Sequence, residues 1–236
     1  MSFTPRVMAM SIDWLPFVLR TSDPLFPTGS YAHSFGLEEF VRLTGASDEA
    51  TLRQFLALHV LPALTWQELP YLRFAHVCSG ANDLPGLVTL DYEINAWKIP
   101  FELRSASRRL GSRRLDILLK TAPAPLLSAI AASIAAGGMP GHHLIISGAQ
   151  YAAIPLEAVL MTYLYQNLSG YCVSSLKLLR IGQEACQRVL AACLERAPAV
   201  VRESLAIERR QAGCFNPLLE IASMRHETAF ERLFIS

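Results

Sequence analysis

Charged residues are scarce in this sequence. Asp, Glu, Lys and Arg make up only 17% of its 236 residues, against about 25% in an average soluble domain. The formal net charge is +1, so no bulk electrostatic attraction favours nucleic acid or an anionic membrane as a partner. Hydrophobic residues, in contrast, reach 52%. A chain this apolar is expected to keep a permanent protein partner, and a homodimer is the simplest form of that expectation.

Long hydrophobic runs are also missing. The most apolar stretch, PLLSAIAASIAAGGM at 125–139, is shorter than the roughly 20 residues that cross a bilayer. The N-terminal residues lack an apolar run followed by a small-residue cleavage site, so no signal peptide is expected. The cysteines number five and never form C-x-x-C, a usage typical of reduced thiols. We therefore expect a cytoplasmic protein.

Motifs for catalysis and for metal or nucleotide binding are absent as well. The sequence has no G-x-S-x-G elbow, no G-x-x-x-x-G-K-[ST], no G-x-G-x-x-G and no H-E-x-x-H, so it predicts no nucleotide site and no tightly bound metal or cofactor. A non-enzymatic protein is favoured. Two alternatives stay open: a hydrolase that uses His33 with Ser34 or Ser30, and a generic helical scaffold.

Helical periodicity fills nearly every segment between the breaking residues. The predicted helices lie at about 49–62, 63–78 with an interruption at Pro70, 101–120, 125–136, 155–179, 183–196 with a shorter continuation after Pro198, and from Pro217 onward. HHLIISG at 142–148 is the best strand candidate, and the glycines at 137–141 form the most flexible-looking joint. The sequence thus predicts one all-α domain over residues 1–236, with about ten helices around a central buried apolar helix at 163–179.

The stretch FPTGSYAHSFGLEEF combines turn-forming residues with hydroxyls, a histidine and two acids. Pro27 and Gly29 predict a turn, after which Thr28 or Ser30 caps a helix that begins near Tyr31.

Within that predicted helix Gly36 indicates that a neighbouring backbone passes close by. Ser34 and Glu38 would share one helix face. We interpret the stretch as a packing and docking surface rather than an active site.

A second candidate surface lies in the arginine-rich helix after Pro100. Ser107 and Gly111 are four residues apart and form a small-x-x-x-small notch that admits another helix. Arg104 and Arg108 flank the notch, where they are expected to bridge to carboxylates on the approaching helix.

Four ordered blocks of this sequence resemble the UreF family of urease accessory proteins. They are FPTGSYAHSFGLEEF, LRSASRRLG, LKLLRIGQEACQRVL and ASMRHETAFERLF, and together they span about residue 20 to the C-terminus. The positions that match are Pro27, Gly29, Tyr31, Ser34, Gly36, Leu37, Glu38, Arg104, Ser107, Leu110, Gly111, Leu178, Gly182, Gln183, Gln187, Ser223, Met224, Arg225, His226, Glu227, Arg232, Leu233 and Phe234. Two positions depart from the family pattern: Lys177 replaces an arginine and Leu144 a proline.

The resemblance implies an all-helical, cytoplasmic, non-enzymatic maturation factor. Members of the family dimerise, bind the accessory protein UreD (UreH in some organisms), and create a surface for the GTPase UreG, which they are thought to recruit or regulate. The assembly docks on apo-urease and supports insertion of two nickel ions, so nickel is the cargo of the wider complex rather than a cofactor of this chain.

The resemblance, together with the sequence patterns, gives a set of expected partner-binding residues: Pro27, Gly29, Tyr31, Ser34, Gly36, Glu38, Arg104, Ser107, Arg108, Gly111, Lys177, Gln183, Arg225, His226, Glu227, Phe230, Arg232 and Phe234. His226 is expected at the surface, as a hydrogen-bonding contact and a possible transient nickel ligand. The apolar residues of the C-terminal tail are expected to dock a partner in preference to packing on their own chain.

Overall fold

The computed structural model describes residues 12–23, 26–29, 33–214, 216–230 and 232–235. Within these ranges the chain is helical and contains no strand, so the predicted all-α class is confirmed. The α-helices are α1 Leu15–Ser22, α2 Leu37–Thr44, α3 Glu49–Phe55, α4 Leu61–Ala63, α5 Leu69–Gly80, α6 Leu84–Trp97, α7 Phe101–Thr121, α8 Pro125–Ala135, α9 His143–Gln150, α10 Leu156–Leu178, α11 Gln183–Ala206 and α12 Pro217–Glu227. No helix in the described ranges is both long and apolar enough to span a membrane.

Capping residues set several helix starts where the sequence predicts them. The Asp48 side chain accepts the Thr51 N–H at the start of α3, and the Asn216 side chain accepts the Leu219 N–H at the start of α12. Prolines occupy the first turns of α8 and α12, where no intrahelical N–H is needed. These starts are confirmed, and each capping bond joins residues only three positions apart.

Three predicted breaks, at Pro62, Pro70 and Pro198, do not occur. Helical geometry continues from Glu49 to Gly80, because π-helical stretches at Leu56–Val60 and Leu64–Glu68 join α3, α4 and α5. Each stretch includes the residue four positions before a proline. In a regular α-helix the carbonyl of that residue would clash with the proline ring, and the π-helical geometry avoids the clash. α11 likewise runs through Pro198 to Ala206 without interruption.

The short helix α9 is the most enclosed element of the core. Its residues from Leu144 to Gly148 are all buried, and a Cβ on Gly148 would lie 2.7 Å from the Cβ of Ala75 on α5. The sequence prediction of a strand here is wrong, because a segment buried on every side shows no helical periodicity. The predicted central helix, α10, is buried on one side and leaves Tyr165, Val173 and Leu176 exposed.

The start of α2 also differs from the prediction. The helix begins at Leu37, and Gly36 is its N-cap with a φ of +89°. A Cβ on Gly36 would lie 2.6 Å from Cδ1 of Leu219, so the close neighbour is a side chain of α12 rather than a backbone. Ser34 therefore lies outside the helix and is fully buried, and the predicted face shared with Glu38 is wrong. Ser30 and Tyr31 lie outside the described residues.

Candidate partner-binding surface

Carboxylates from two other helices meet at His226 of α12, and an arginine of the tail joins one of them. Its Nε2 lies 3.1 Å from Glu38 Oε2 of α2, and its Nδ1 lies 2.8 Å from Glu102 Oε2 of α7. Arg232 donates to the other oxygen of Glu102 at 3.0 Å. A neutral imidazole carries one N–H, so only the doubly protonated ring donates to both carboxylates. We call Glu38, Glu102, His226 and Arg232 the tail clasp.

The tail clasp fixes the C-terminal residues on the body of the protein. The backbone N–H of Leu233 donates to Glu38 Oε1 at 2.8 Å, and that of Phe234 donates to Glu38 Oε2 at 3.1 Å. The Phe234 ring is buried, and the Lys177 ammonium lies 5.4 Å from its centroid. Phe234 thus packs on its own chain, which corrects the expectation for this residue of the tail.

The prediction of a surface histidine at position 226 is wrong. The residue is 1% exposed and both ring nitrogens have carboxylate partners, so it lacks the accessible lone pair of a transient nickel ligand. Within the described residues no cluster of three or more His, Cys, Asp or Glu side chains could hold a metal ion.

A second carboxylate of α2, that of Glu39, joins α2 to α12. Glu39 has a 1% exposed side chain and accepts Arg42 Nε at 2.6 Å and Arg225 Nε at 3.1 Å. Burial opposes its ionisation, but the hydrogen bonds and charges of Arg42 and Arg225 outweigh burial and lower the pKa of Glu39. No sequence pattern singles out Glu39, although it stands next to Glu38 in the motif.

Beside the tail clasp the last residues of the chain expose apolar side chains. Phe230 is fully exposed and Leu233 is 72% exposed. The exposed large hydrophobics between positions 218 and 235 are Leu218, Ile221, Met224, Phe230, Leu233 and Ile235, which we call the apolar strip. The first three repeat at helical spacing on α12. Single exposed hydrophobics are ordinary, but a series of them marks an interaction surface.

The notch on α7 is filled by the chain itself. Ser107 is buried, and its Oγ lies 2.9 Å from Nδ1 of His142 and 3.1 Å from Nδ1 of His143. A Cβ on Gly111 would come within 3.0 Å of backbone atoms of Gly141 and His143. Ser107 and Gly111 therefore pack inside the chain, and the predicted open notch between them is wrong. Of the joint at 137–141, Gly141 packs on α7 here, whereas Gly137 and Gly138 are exposed.

The flanking arginines do not bridge to carboxylates in this structure. Arg104 donates to the carbonyls of Lys98 and Ile99, and Arg108 donates to the carbonyl of Pro140. Both lie at the protein surface. The remaining predicted residues lie on separate elements: Pro27 and Gly29 in the loop before α2, Gln183 at the start of α11, and Glu227 at the end of α12. All are exposed except Gly29, which is half-buried.

A buried hydrogen-bond chain lies behind α7. From Ser107 it passes through His143, whose Nε2 lies 2.7 Å from the Tyr163 hydroxyl, and the Tyr163 hydroxyl donates to Glu68 at 2.8 Å. Burial lowers the pKa of His142 to about 3 and that of His143 to about 4. Both imidazoles are consequently neutral at pH 7.

The pair proposed for hydrolase chemistry is placed unfavourably. Burial and the charge of Arg109 lower the pKa of His33 to about 4, and its ring stacks on Phe35 with centroids 5.4 Å apart. His33 and Tyr163 line a cavity of about 140 Å³. Ser34, however, is fully buried, so its hydroxyl is not presented to a substrate.

The comparisons with known proteins agree with the motifs. The UreF family model matches residues 46–194. "Urease accessory protein UreF" of Arthrobacter sp. (strain FB24) is 30% identical over 91% of this chain and 94% of its own length. The protein of the same name from Paenarthrobacter aurescens (strain TC1) is 30% identical over 96% and 100%, and that from Bacillus sp. (strain TB-90) is 28% identical over 91% and 95%. This chain therefore belongs to the UreF family of urease accessory proteins.

Proposed function

We propose that this chain is a cytoplasmic co-chaperone for nickel insertion into urease. As a homodimer it binds the UreD/UreH-type accessory protein, recruits or regulates the GTPase UreG, and holds both on apo-urease. The chain performs no catalysis of its own, and nickel passes through the assembly as cargo. Family membership and the arrangement of the C-terminal tail support this proposal.

The observation that carries the proposal is the way the tail clasp presents the apolar strip. Glu38 holds the backbone of Leu233 and Phe234, so the tail is fixed while Phe230, Leu233 and Ile235 face solvent. Aromatic and aliphatic anchors that are ordered before binding lose less conformational entropy when a partner covers them. A fixed apolar tail is therefore suited to be an anchor for the UreD/UreH-type protein.

The test is copurification with that partner. Deleting residues 228–236 is expected to abolish binding while leaving the helical circular dichroism signal intact. The finer variant changes Phe230, Leu233 and Ile235 to serine, and we expect a loss of affinity of at least about tenfold.

The matched control changes three exposed hydrophobics outside the tail, Leu58, Val77 and Tyr92, to serine. This control should bind like the wild type. If a tail variant copurifies with the partner at wild-type stoichiometry, the tail is not part of the interface.

A further inference from the structure

The charge of this nearly neutral chain is distributed unevenly, with an excess of positive charge on α7. The helix carries five arginines and one lysine against Glu102 and Asp116, a net charge of +4. The whole chain has a net charge of only +1. The rest of the molecule is therefore net acidic, yet in the described residues its carboxylates form no ion pairs with the arginines of α7.

α7 gathers arginines that have no carboxylate partner among the described residues. Within the described ranges none of the five forms an ion pair with a carboxylate. Other arginines do pair with Asp or Glu: Arg42, Arg53, Arg188, Arg209, Arg210, Arg225 and Arg232. Five described arginines outside α7 also form no ion pair: Arg20, Arg73, Arg180, Arg196 and Arg202. They are spread over separate parts of the chain, so what distinguishes α7 is that it gathers five such arginines on one helix.

Backbone carbonyls from three separate loops orient three of these guanidinium groups. Arg104 donates to Lys98 O at 2.8 Å and Ile99 O at 3.1 Å, and Arg108 donates to Pro140 O at 3.2 Å. Arg113 donates to the carbonyl of the loop residue at position 27 at 3.3 Å. A carbonyl positions the guanidinium without cancelling its charge, and most of its five N–H groups stay available for a carboxylate.

Apolar side chains adjoin the arginines on the outer side of α7. Phe101 and Ile99 are exposed, and the guanidinium carbon of Arg104 lies 5.9 Å from the centroid of the Phe101 ring. Arg104 and Arg108 form one i,i+4 pair and Arg109 and Arg113 a second on another side of the helix, so they do not form the single line that tracks a phosphate backbone. Arginine mixed with aromatic residues is typical of protein–protein interfaces.

We propose that the exposed surface of α7 formed by Phe101, Arg104, Arg108, Arg109 and Arg113 docks a folded protein partner through carboxylates on the partner's surface. The surface adjoins the tail clasp, because Glu102 in the first turn of α7 binds both His226 and Arg232. A partner that is docked on the tail therefore also contacts α7. The proposal rests on the proposed function insofar as the partner is one of the urease maturation proteins.

The test compares charge-reversed variants for binding to three purified proteins. The full chain is titrated by calorimetry against the UreD/UreH-type protein, the UreG GTPase and apo-urease at low and moderate salt. Changing Arg108 and Arg109 to glutamate is expected to weaken binding to at least one of them about tenfold at low salt, and less at moderate salt. The milder variant with glutamine at both positions should lose less, which separates lost charge from misfolding.

The matched control changes Arg196 and Arg202, two exposed arginines of α11, to glutamate. Its affinity should stay within about twofold of the wild type. If the wild type binds the three proteins and the α7 variant binds them equally well, the α7 proposal fails while the proposed function stands. If the wild type binds none of them, the proposed function fails first. Binding to RNA or phosphatidylserine vesicles that is lost in the α7 variant, with protein binding unchanged, would also overturn the proposal.

Discussion

Replacing Gly111 by alanine tests the packing of α7 on α9. A Cβ at this position would meet the carbonyl oxygen of Gly141 and would lie 2.9 Å from the backbone N of His143. These are backbone atoms, so no side-chain rotation relieves the clash. The two helices must separate by about 1 Å to restore an ordinary contact distance.

The size of the effect follows from three contributions. Alanine gains about 1 kcal/mol over glycine in a helix interior. Overpacking against rigid backbone costs about 1–3 kcal/mol. Separation also weakens the hydrogen bonds between Ser107 Oγ and the Nδ1 atoms of His142 and His143, at 2.9 and 3.1 Å, each with a net contribution of about 1 kcal/mol. We expect a net destabilisation of about 3 kcal/mol.

The matched control is Gly170 in α10, where an added Cβ meets nothing within 4 Å. Alanine at this position should stabilise the protein by up to about 1 kcal/mol. Both variants are measured by urea unfolding followed by circular dichroism. A Gly111→Ala protein at least as stable as the wild type would refute the close packing of α7 on α9.

Three further predictions concern pH, capping and the tail. Because His33, His142 and His143 have folded-state pKa values of about 4, 3 and 4, below the usual 6.5, their stabilising effect is complete above pH 6.5 and is lost as the pH falls. At pH 5 each histidine lowers the free energy of unfolding by about 2 kcal/mol relative to pH 7, and Asp91, whose pKa burial raises to about 6, offsets about 1 kcal/mol of the total. Urea unfolding at pH 7 and pH 5 measures the net loss, and equal stability at the two pH values would contradict the prediction. Asn216→Ala removes the cap of α12 and two hydrogen bonds of the Asn216 amide with His59. It should cost about 2 kcal/mol by the same assay, and an unchanged midpoint would show that these contacts do not contribute. Glu38→Ala releases the backbone of the tail and should speed tryptic cleavage there about tenfold, whereas cleavage at the wild-type rate would mean that Glu38 does not hold it.

Local chemistry explains what the sequence predicts well. The start of α12 follows from Asn216 and the proline after it, and α7 runs from Phe101 to Thr121 as its periodicity predicts. These features depend on residues a few positions apart. The four family blocks also lead to the correct family.

Long-range contacts explain what the sequence does not predict. His226 meets Glu38 across 188 positions, so no local pattern shows that it is buried. Gly111 was interpreted as an open notch because its occupant, the turn before α9, comes from elsewhere in the chain. α9 itself resembled a strand because burial on all sides removed its helical periodicity.

The central claim is tested most directly by the nickel content of urease in a strain that lacks its own UreF-type protein. Complementation with this chain should restore nickel in the urease active site to the level of the parent strain. The variant without residues 228–236 should leave the active site empty although it is expressed and folded. Urease that stays free of nickel in the presence of the wild-type chain and its native partners would contradict the account.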